Sequence, residues 1–286
     1  MSDPQPPPGL APTRDVPVTR VAGDAVTRTR DLAAAEEPLD VRLHGRSFAV
    51  IMRTPGEDRA LAAGFLLSER VIRSAADLGA VEHCRHPDQS RVHHVVDVFL
   101  VGDAASRVPA LLERRREVVA NSSCGICGRA TIDELAADIP VLEPAATMTL
   151  EAIRTLPGSL RAGQTRFDET GGLHGAAAFA ADGTLIGAAE DVGRHNAVDK
   201  VIGAMLLDGE DGAARLAAAA ALMVSGRVSF EIVQKAWLGG IPIVAAISAP
   251  TSLAIELADA AGITLLGFVR ESSLNIYTHT ARLVGV

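Results

Sequence analysis

The sequence predicts an α/β protein in two unequal parts, a smaller N-terminal α+β domain followed by a domain in which strands and helices alternate. Three observations carry this expectation. From Ala218 to Phe268, short apolar runs alternate with amphipathic stretches as strand, helix, strand, helix, strand, the pattern of a parallel or mixed sheet flanked by helices. The chain has 286 residues, whereas domains commonly run about 100–200 residues, so two units are expected. Hydrophobic residues make up 48% and aromatics 3%, which supplies a large core built of Ala, Val, Leu and Ile.

Residues 1–14 are rich in proline and lack both a cationic and an apolar leader segment, so they read as a disordered lead-in and not a secretory signal. Residues 15–120 are expected to form the first domain. Val16 to Thr27 alternates apolar and polar residues, and Leu39 to Met52 reads as a hairpin about His44-Gly45-Arg46. Thr54 and Glu57 fit a capping box that opens an amphipathic helix through Leu61, Phe65, Leu66 and Ile72. A His-rich turn, His83-Cys84-Arg85-His86 and His93-His94, precedes a strand at Val95 to Val101. Val118-Val119-Ala120 is strand-like and leads into Cys124-Gly125-Ile126-Cys127-Gly128. Residues 121–145 then form the C-x-x-C loop and a connecting helix opened by Thr131 and Glu134.

The second domain is expected over residues 146–286. Leu173 to Phe179 and Thr184 to Ala189 are strands joined at Asp182-Gly183, a strong hairpin signal. Val198, Val201, Ile202, Met205 and Leu206 follow a helical period. The alternating elements then fall at Ala218–Val224, Ser229–Leu238, Ile243–Ile247, Ser252–Ala261 and Thr264–Phe268.

A net charge of -8 argues against a general nucleic-acid binder, whose footprint is basic. The longest apolar run, Leu216 to Val224, is far short of the roughly 18 residues that a membrane span needs. With three cysteines in the whole chain, the expectation is a cytoplasmic protein, in which a C-x-x-C pair is catalytic or metal-binding. Taken alone, Cys124 and Cys127 leave redox, metal and sulfur chemistry open. The histidines could complete a Cys2His2 zinc site, but their spacing matches no finger pattern and exposed loop histidines are the stronger reading, so no zinc is expected. A strand, a C-x-x-C turn and a helix is also the thioredoxin arrangement, yet here the motif falls at the joint between two blocks.

Ligands of α/β sheets bind beyond the carboxyl ends of the strands, where helix N-termini present N–H groups to anions. Ser225-Gly226-Arg227, Ser248-Ala249-Pro250-Thr251 and Gly267-Phe268-Val269-Arg270 occupy those positions and read as a phosphate-binding rim. Lys200 and Lys235 are the only lysines among 27 basic residues, wanted as compact donors or else lying on a solvated helix face. His195 is a candidate general acid or base oriented by Asp191 or Glu190, with a capping network as the alternative.

The strings Cys124-Gly125-Ile126-Cys127-Gly128, Thr170-Gly171-Gly172-Leu173-His174, Glu190 to Lys200, Ser225-Gly226-Arg227 and Ser248-Ala249-Pro250-Thr251 together resemble the FdhD family of sulfur carriers needed for formate dehydrogenase, from about Val16 to the C-terminus. The resemblance implies a sulfurtransferase that takes sulfane sulfur from a cysteine desulfurase as a cysteine persulfide. It passes that sulfur to the bis-molybdopterin guanine dinucleotide form of the molybdenum cofactor, before insertion into formate dehydrogenase. By position, Cys124 matches the persulfide cysteine, and Phe268, Val269, Arg270, Glu271, Ser272 and Ser273 match the cofactor-binding segment. Arg194, His195, Ser225, Arg227, Ser248 and Thr251 complete the expected cofactor site, and Cys127 is expected to assist Cys124 by thiol exchange. The resemblance also implies a cytidine-deaminase-like layered C-terminal domain. The deaminase zinc signature is missing, so deamination is not implied. The apolar helices of the second half are compatible with a homodimer.

Overall fold

The computed structural model describes residues 11–84, 94–119, 139–143, 146–209 and 212–286. It begins with an antiparallel ribbon of β1 (Thr13–Ala22) and β2 (Ala25–Ala34), exposed over most of both strands. The alternating stretch from Val16 to Thr27 runs from one strand of this ribbon, across a turn at Gly23 and Asp24, into the other.

A four-stranded sheet follows, in the order β4-β3-β6-β5, made of β3 (Glu37–Leu43), β4 (Arg46–Arg53), β5 (Leu78–His83) and β6 (Val95–Leu100). His44 and Gly45 form its first turn, with φ of 50° and 79°. Two positive φ values in a two-residue loop suit the right-handed twist of the strands they join.

Helix α1 (Asp58–Ser68) is buried nearly all round and is not the amphipathic surface helix that its spacing predicts. It lies between the four-stranded sheet and helix α5 (Arg194–Leu206), so two faces need apolar or small residues. The crossing of α1 and α5 is very close. A Cβ placed on Gly64 would lie 1.9 Å from the Asp199 carbonyl oxygen, and one on Gly203 would lie 1.8 Å from that of Ala60. Glycine is required at both points because the backbones themselves are in contact.

Helix α2 spans Gly102–Val119, so the strand expected at Val118-Val119 is helix to its last described residue. The run Glu113-Arg114-Arg115-Arg116-Glu117 is made of straight-chain helix formers, and it outweighs two β-branched residues at the end.

The second half is built on a six-stranded sheet, order β13-β12-β11-β10-β8-β9. Its strands are β8 (His174–Phe179), β9 (Leu185–Asp191), β10 (Ala221–Val224), β11 (Ile243–Ala246), β12 (Thr264–Gly267) and β13 (Asn275–Ile276). β10, β11 and β12 are parallel, whereas β8 runs antiparallel to β10. Both faces are covered. Ala176, Ala178, Leu222, Val224, Val244 and Ala246 face one cluster, while Ala177, Phe179, Ala221, Met223, Ile243 and Ala245 face the other, which also holds Ile153, Leu156 and Leu160 of α3 (Leu150–Ala162). Burial on two faces explains why these strands read as unbroken apolar runs.

Among the described residues, the remaining α-helices are α4 (Thr165–Thr170), α6 (Gly212–Ala218), α7 (Phe230–Leu238) and α8 (Ser252–Ala260). A short parallel pair, β7 (Met148–Thr149) with β14 (Leu283–Val284), ties down the C-terminus. One cluster of buried side chains joins the four-stranded sheet, α1, α5, α7 and the inner face of the six-stranded sheet, so both sheets share a core. Among the described residues, no helix is long and apolar enough to cross a membrane.

Candidate functional site

The parallel order of β10, β11 and β12 brings the loops after all three to one edge of the sheet, where the antiparallel partner β8 begins and β9 ends. That edge gathers His174, Arg194, His195 and the segments Ser225–Arg227, Ser248–Thr251 and Phe268–Ser273. Arg227, Thr251, Phe268, Arg270, Glu271, Ser272 and Ser273 are exposed, while Arg194, His195, Ser225 and Ser248 are partly buried.

The rim is held by its own hydrogen bonds. Ser225 Oγ accepts from Gly175 N at 2.9 Å, and Thr251 Oγ1 caps α8 by accepting from Ala254 N at 3.3 Å. Each hydroxyl keeps its proton to donate. Arg270 Nη1 donates to the carbonyls of Ile247 (2.7 Å) and Val269 (2.8 Å), locking the loops after β11 and β12 together. Val269 is fully buried in the second core cluster, with its N–H donating to Ala246 O and its carbonyl accepting from Arg270, so it anchors the segment and offers a ligand no free group. Phe268 is 43% exposed with φ of 51°, a conformation that bulky residues rarely adopt. Such strain persists where the surroundings enforce it and clusters at functional sites.

The string Glu190 to Lys200 divides its labour. Lys200 is fully buried, and its ammonium meets three acceptors: Asp191 Oδ2 at 2.8 Å, Thr54 O at 3.0 Å and Glu190 O at 3.2 Å. Asp191, also fully buried, accepts from Thr54 N, Gly193 N and Asn196 Nδ2, and Asn196 reaches on to Met52 O. The Thr54 hydroxyl accepts from Val192 N at 3.2 Å. Thr54 therefore tethers the two halves of the chain. It does not cap α1, which opens at Glu57 with a left-handed φ of 57° and no side-chain cap.

Lys235 makes a second buried pair, with both Asp199 oxygens at 2.8 and 2.7 Å, and Ser68 Oγ donates to the same carboxylate. Neither lysine lies on a solvated face. Glu190 accepts from Arg166 N and Phe167 N, capping α4 with a carboxylate where the helix dipole favours one.

Asp191 and Glu190 are thus committed elsewhere, and His195 is oriented by other groups. Its Nε2 lies 3.2 Å from Ser229 Oγ and 3.7 Å from Glu231 Oε2. The Arg194 guanidinium makes no hydrogen bond among the described residues, and its Nε is buried without a partner. His174, Ser229, Glu231 and Thr54 are the site and network residues that pattern reading did not assign. His174 closes the Thr170–His174 string and Thr54 was read as a cap, but neither signal pointed to the contacts they make; Ser229 and Glu231 were marked only by a Ser at the N-cap position of α7 with Glu two residues on.

Burial, then Lys235 and Arg194, push His195 down to about 4, against the pull of Glu231. His174 is also lowered, by burial first and then by Arg194. An unfolded histidine takes its proton near ~6.5. Between about 6.5 and about 4 the unfolded chain binds a proton that the folded chain refuses, so folding stability falls as pH drops through that window. With the His195 ring 34% exposed, solvent screening limits its share to about 1–2 kcal/mol. His195→Gln is expected to flatten the decline, measured as the denaturant midpoint at pH 7 and pH 5. An unchanged slope would contradict this placement of the charge.

Cys124 and Cys127 lie outside the described residues, as does the expected capping box at Thr131. Among the described residues, no group of three or more His, Cys, Asp or Glu side chains is placed to hold a metal ion.

Fold and rim define a class: an α/β protein with a cationic, hydroxyl-lined edge at the carboxyl ends of three parallel strands, the place where such folds hold anionic ligands. Residues 34–284 match the FdhD/NarQ family, and the chain belongs to that family. It is similar to the protein named Sulfur carrier protein FdhD of Streptomyces coelicolor, 46% identical over 271 residues that cover 93% of this chain and 94% of that one. The protein of the same name from Anaeromyxobacter dehalogenans is 46% identical over 260 residues, 89% of each chain. A crystal structure of a Desulfotalea psychrophila protein, assigned as a formate dehydrogenase accessory protein, superposes with a TM-score of 0.73 over 95% of this chain and 99% of that one. At 21% identity it speaks for the fold.

Proposed function

We propose that this protein is a sulfurtransferase that carries sulfur from a cysteine desulfurase to the bis-molybdopterin guanine dinucleotide form of the molybdenum cofactor, for use by formate dehydrogenase. The observation that carries the reading is the rim. A dinucleotide acceptor is large and polyanionic, and Arg194, Arg227 and Arg270 with the hydroxyls of Ser225, Ser248, Thr251, Ser272 and Ser273 are the donors it needs. The relatives named as sulfur carriers supply the direction of the chemistry. The exposed, strained Phe268 on an otherwise anchored segment suits a side chain held in place for a bound ligand.

In this reading the Cys124 thiolate attacks the outer sulfur of the desulfurase persulfide. One S–S bond forms on Cys124 as another breaks, and the desulfurase cysteine leaves as thiolate. Attack of the Cys127 thiolate on Cys124 then forms their disulfide and releases the outer sulfur at the level of sulfide, the two electrons coming from the thiols. The acceptor supplies the metal centre that takes this sulfur. Residues 121–145 carry the persulfide between partners, and residues 146–286 form a cytidine-deaminase-like layered domain, a reading supported by helices on both faces of the six-stranded sheet. Residues 15–120 make the smaller domain.

Complementation tests the whole reading. In a bacterial host lacking its own carrier, the chain is expected to restore formate dehydrogenase activity, Cys124→Ala to restore none, and Arg194→Ala to cut restoration about tenfold or more through loss of a charged contact. Full restoration by Cys124→Ala would reject the proposal.

A further inference from the structure

At the edge of the six-stranded sheet opposite the rim, the chain that follows the C-x-x-C region is seated on the fold by three hydrogen bonds. α7 starts at the rim and crosses to that far edge before β11 begins, and the turn after α8 lies there before β12. Trp237, near the end of α7, donates its Nε1 hydrogen to the Pro140 carbonyl at 2.9 Å. Leu142 N donates to Ala261 O at 3.0 Å, and Arg282 Nη2 donates to Leu142 O at 2.6 Å. The seat is close: a Cβ on Gly262 would lie 2.8 Å from that same Leu142 oxygen. Ile139 and Leu142 pack against the shared core, while Pro140 and Val141 are exposed.

Arg282 is costly to the fold. It is 2% exposed, its Nε is buried without a partner, and its guanidinium makes no other hydrogen bond or ion pair among the described residues. Burial pushes its pKa down, with Glu143 acting the other way. A buried cation with no carboxylate beside it destabilises a fold, and an apolar side chain of similar length would serve packing better. What such a side chain could not do is hold the Leu142 carbonyl.

We propose that Arg282 and Trp237 are positioning residues for sulfur delivery: they fix Pro140–Leu142 to the far edge and so set the length of chain on which Cys124 reaches the rim. The inference rests on the sulfur-carrier reading and deepens it. Pro140 lies sixteen residues beyond Cys124, a length that can extend to about 55 Å. α7, nine residues or about 14 Å long, runs from the rim to the anchor, so the tether has length to spare. Beyond the anchor, the next fully buried residue among those described is Met148, twenty-four residues after Cys124. A thiol on a longer tether explores a larger volume, and its effective concentration at a fixed site falls as about the 3/2 power of length or more steeply. Going from sixteen to twenty-four residues is then about a twofold loss in delivery.

Arg282→Met in the full-length chain separates this role from packing. Its unfolding midpoint in urea is expected to stay or rise, because a buried charge is removed. Backbone exchange at the Leu142 N–H is expected to quicken about tenfold as the seat loosens. Loading with radiolabelled sulfur by a cysteine desulfurase and L-cysteine is expected to be unchanged. Single-turnover loss of that sulfur to the bis-molybdopterin guanine dinucleotide cofactor, released from formate dehydrogenase and added in excess, is expected to slow about twofold or more. Trp237→Phe is expected to give the same exchange and delivery results, although its smaller ring also lowers stability. A lowered midpoint in Arg282→Met, an unchanged Leu142 exchange rate, native delivery with that exchange quickened, or equal slowing of loading and delivery would each overturn the inference. A native chain that takes up no sulfur, with Leu142 responding as expected, would overturn the sulfur-carrier reading and leave the anchor in place.

Discussion

Gly203→Ala is expected to destabilise the protein by about 3 kcal/mol or more, although it adds one methyl group to a helix. The new carbon would sit 1.8 Å from the Ala60 carbonyl oxygen and close to the Gly64 backbone, and neither is the end of a flexible side chain that can swing away. α1 and α5 would have to separate. Behind that contact lie the Lys235–Asp199–Ser68 cluster and the Lys200–Asp191–Thr54 cluster, whose distances depend on the same two helices. Pulling one partner from a buried pair leaves an uncompensated charge, so the loss spreads past the methyl itself. The better helix propensity of alanine returns at most about 1 kcal/mol.

A matched control is Gly158→Ala in α3, where an added methyl meets nothing within 4 Å. It is expected to be neutral or slightly stabilising. Urea unfolding of both variants separates crowding from propensity. Equal midpoints for the two would show that the helices are not in backbone contact.

The second-half strands and helices were legible because burial on both faces leaves runs such as Ala221–Val224 and Ile243–Ala246 with no polar residue, bounded by Gly, Ser and Pro. The rim followed from topology: once the three strands are parallel, their loops must share an edge. Thr54 was misread because its acceptors and donors lie on Asp191, Val192 and Lys200, well over a hundred residues away, while its capping signature is local. The two lysines showed that something needed a compact ammonium, but not that each would be buried against an aspartate. His195 was found as a titratable group, and its partners were not, because Ser229 and Glu231 come from another helix. Val118 and Val119 read as strand when taken apart from the charged run before them.

Mass spectrometry of the purified chain, after incubation with a cysteine desulfurase and L-cysteine, bears most directly on the central claim that Cys124 carries sulfur. The thiolate is the attacking form, so the reaction needs Cys124 and not merely a cysteine nearby. The predicted result is an added mass of one sulfur located on Cys124, absent from Cys124→Ala and cleared by dithiol reductant. Cys127→Ala is predicted to gain the same adduct and to hold it longer, since the resolving thiol is gone. An adduct that persists in Cys124→Ala, or none in the native chain, would contradict the account.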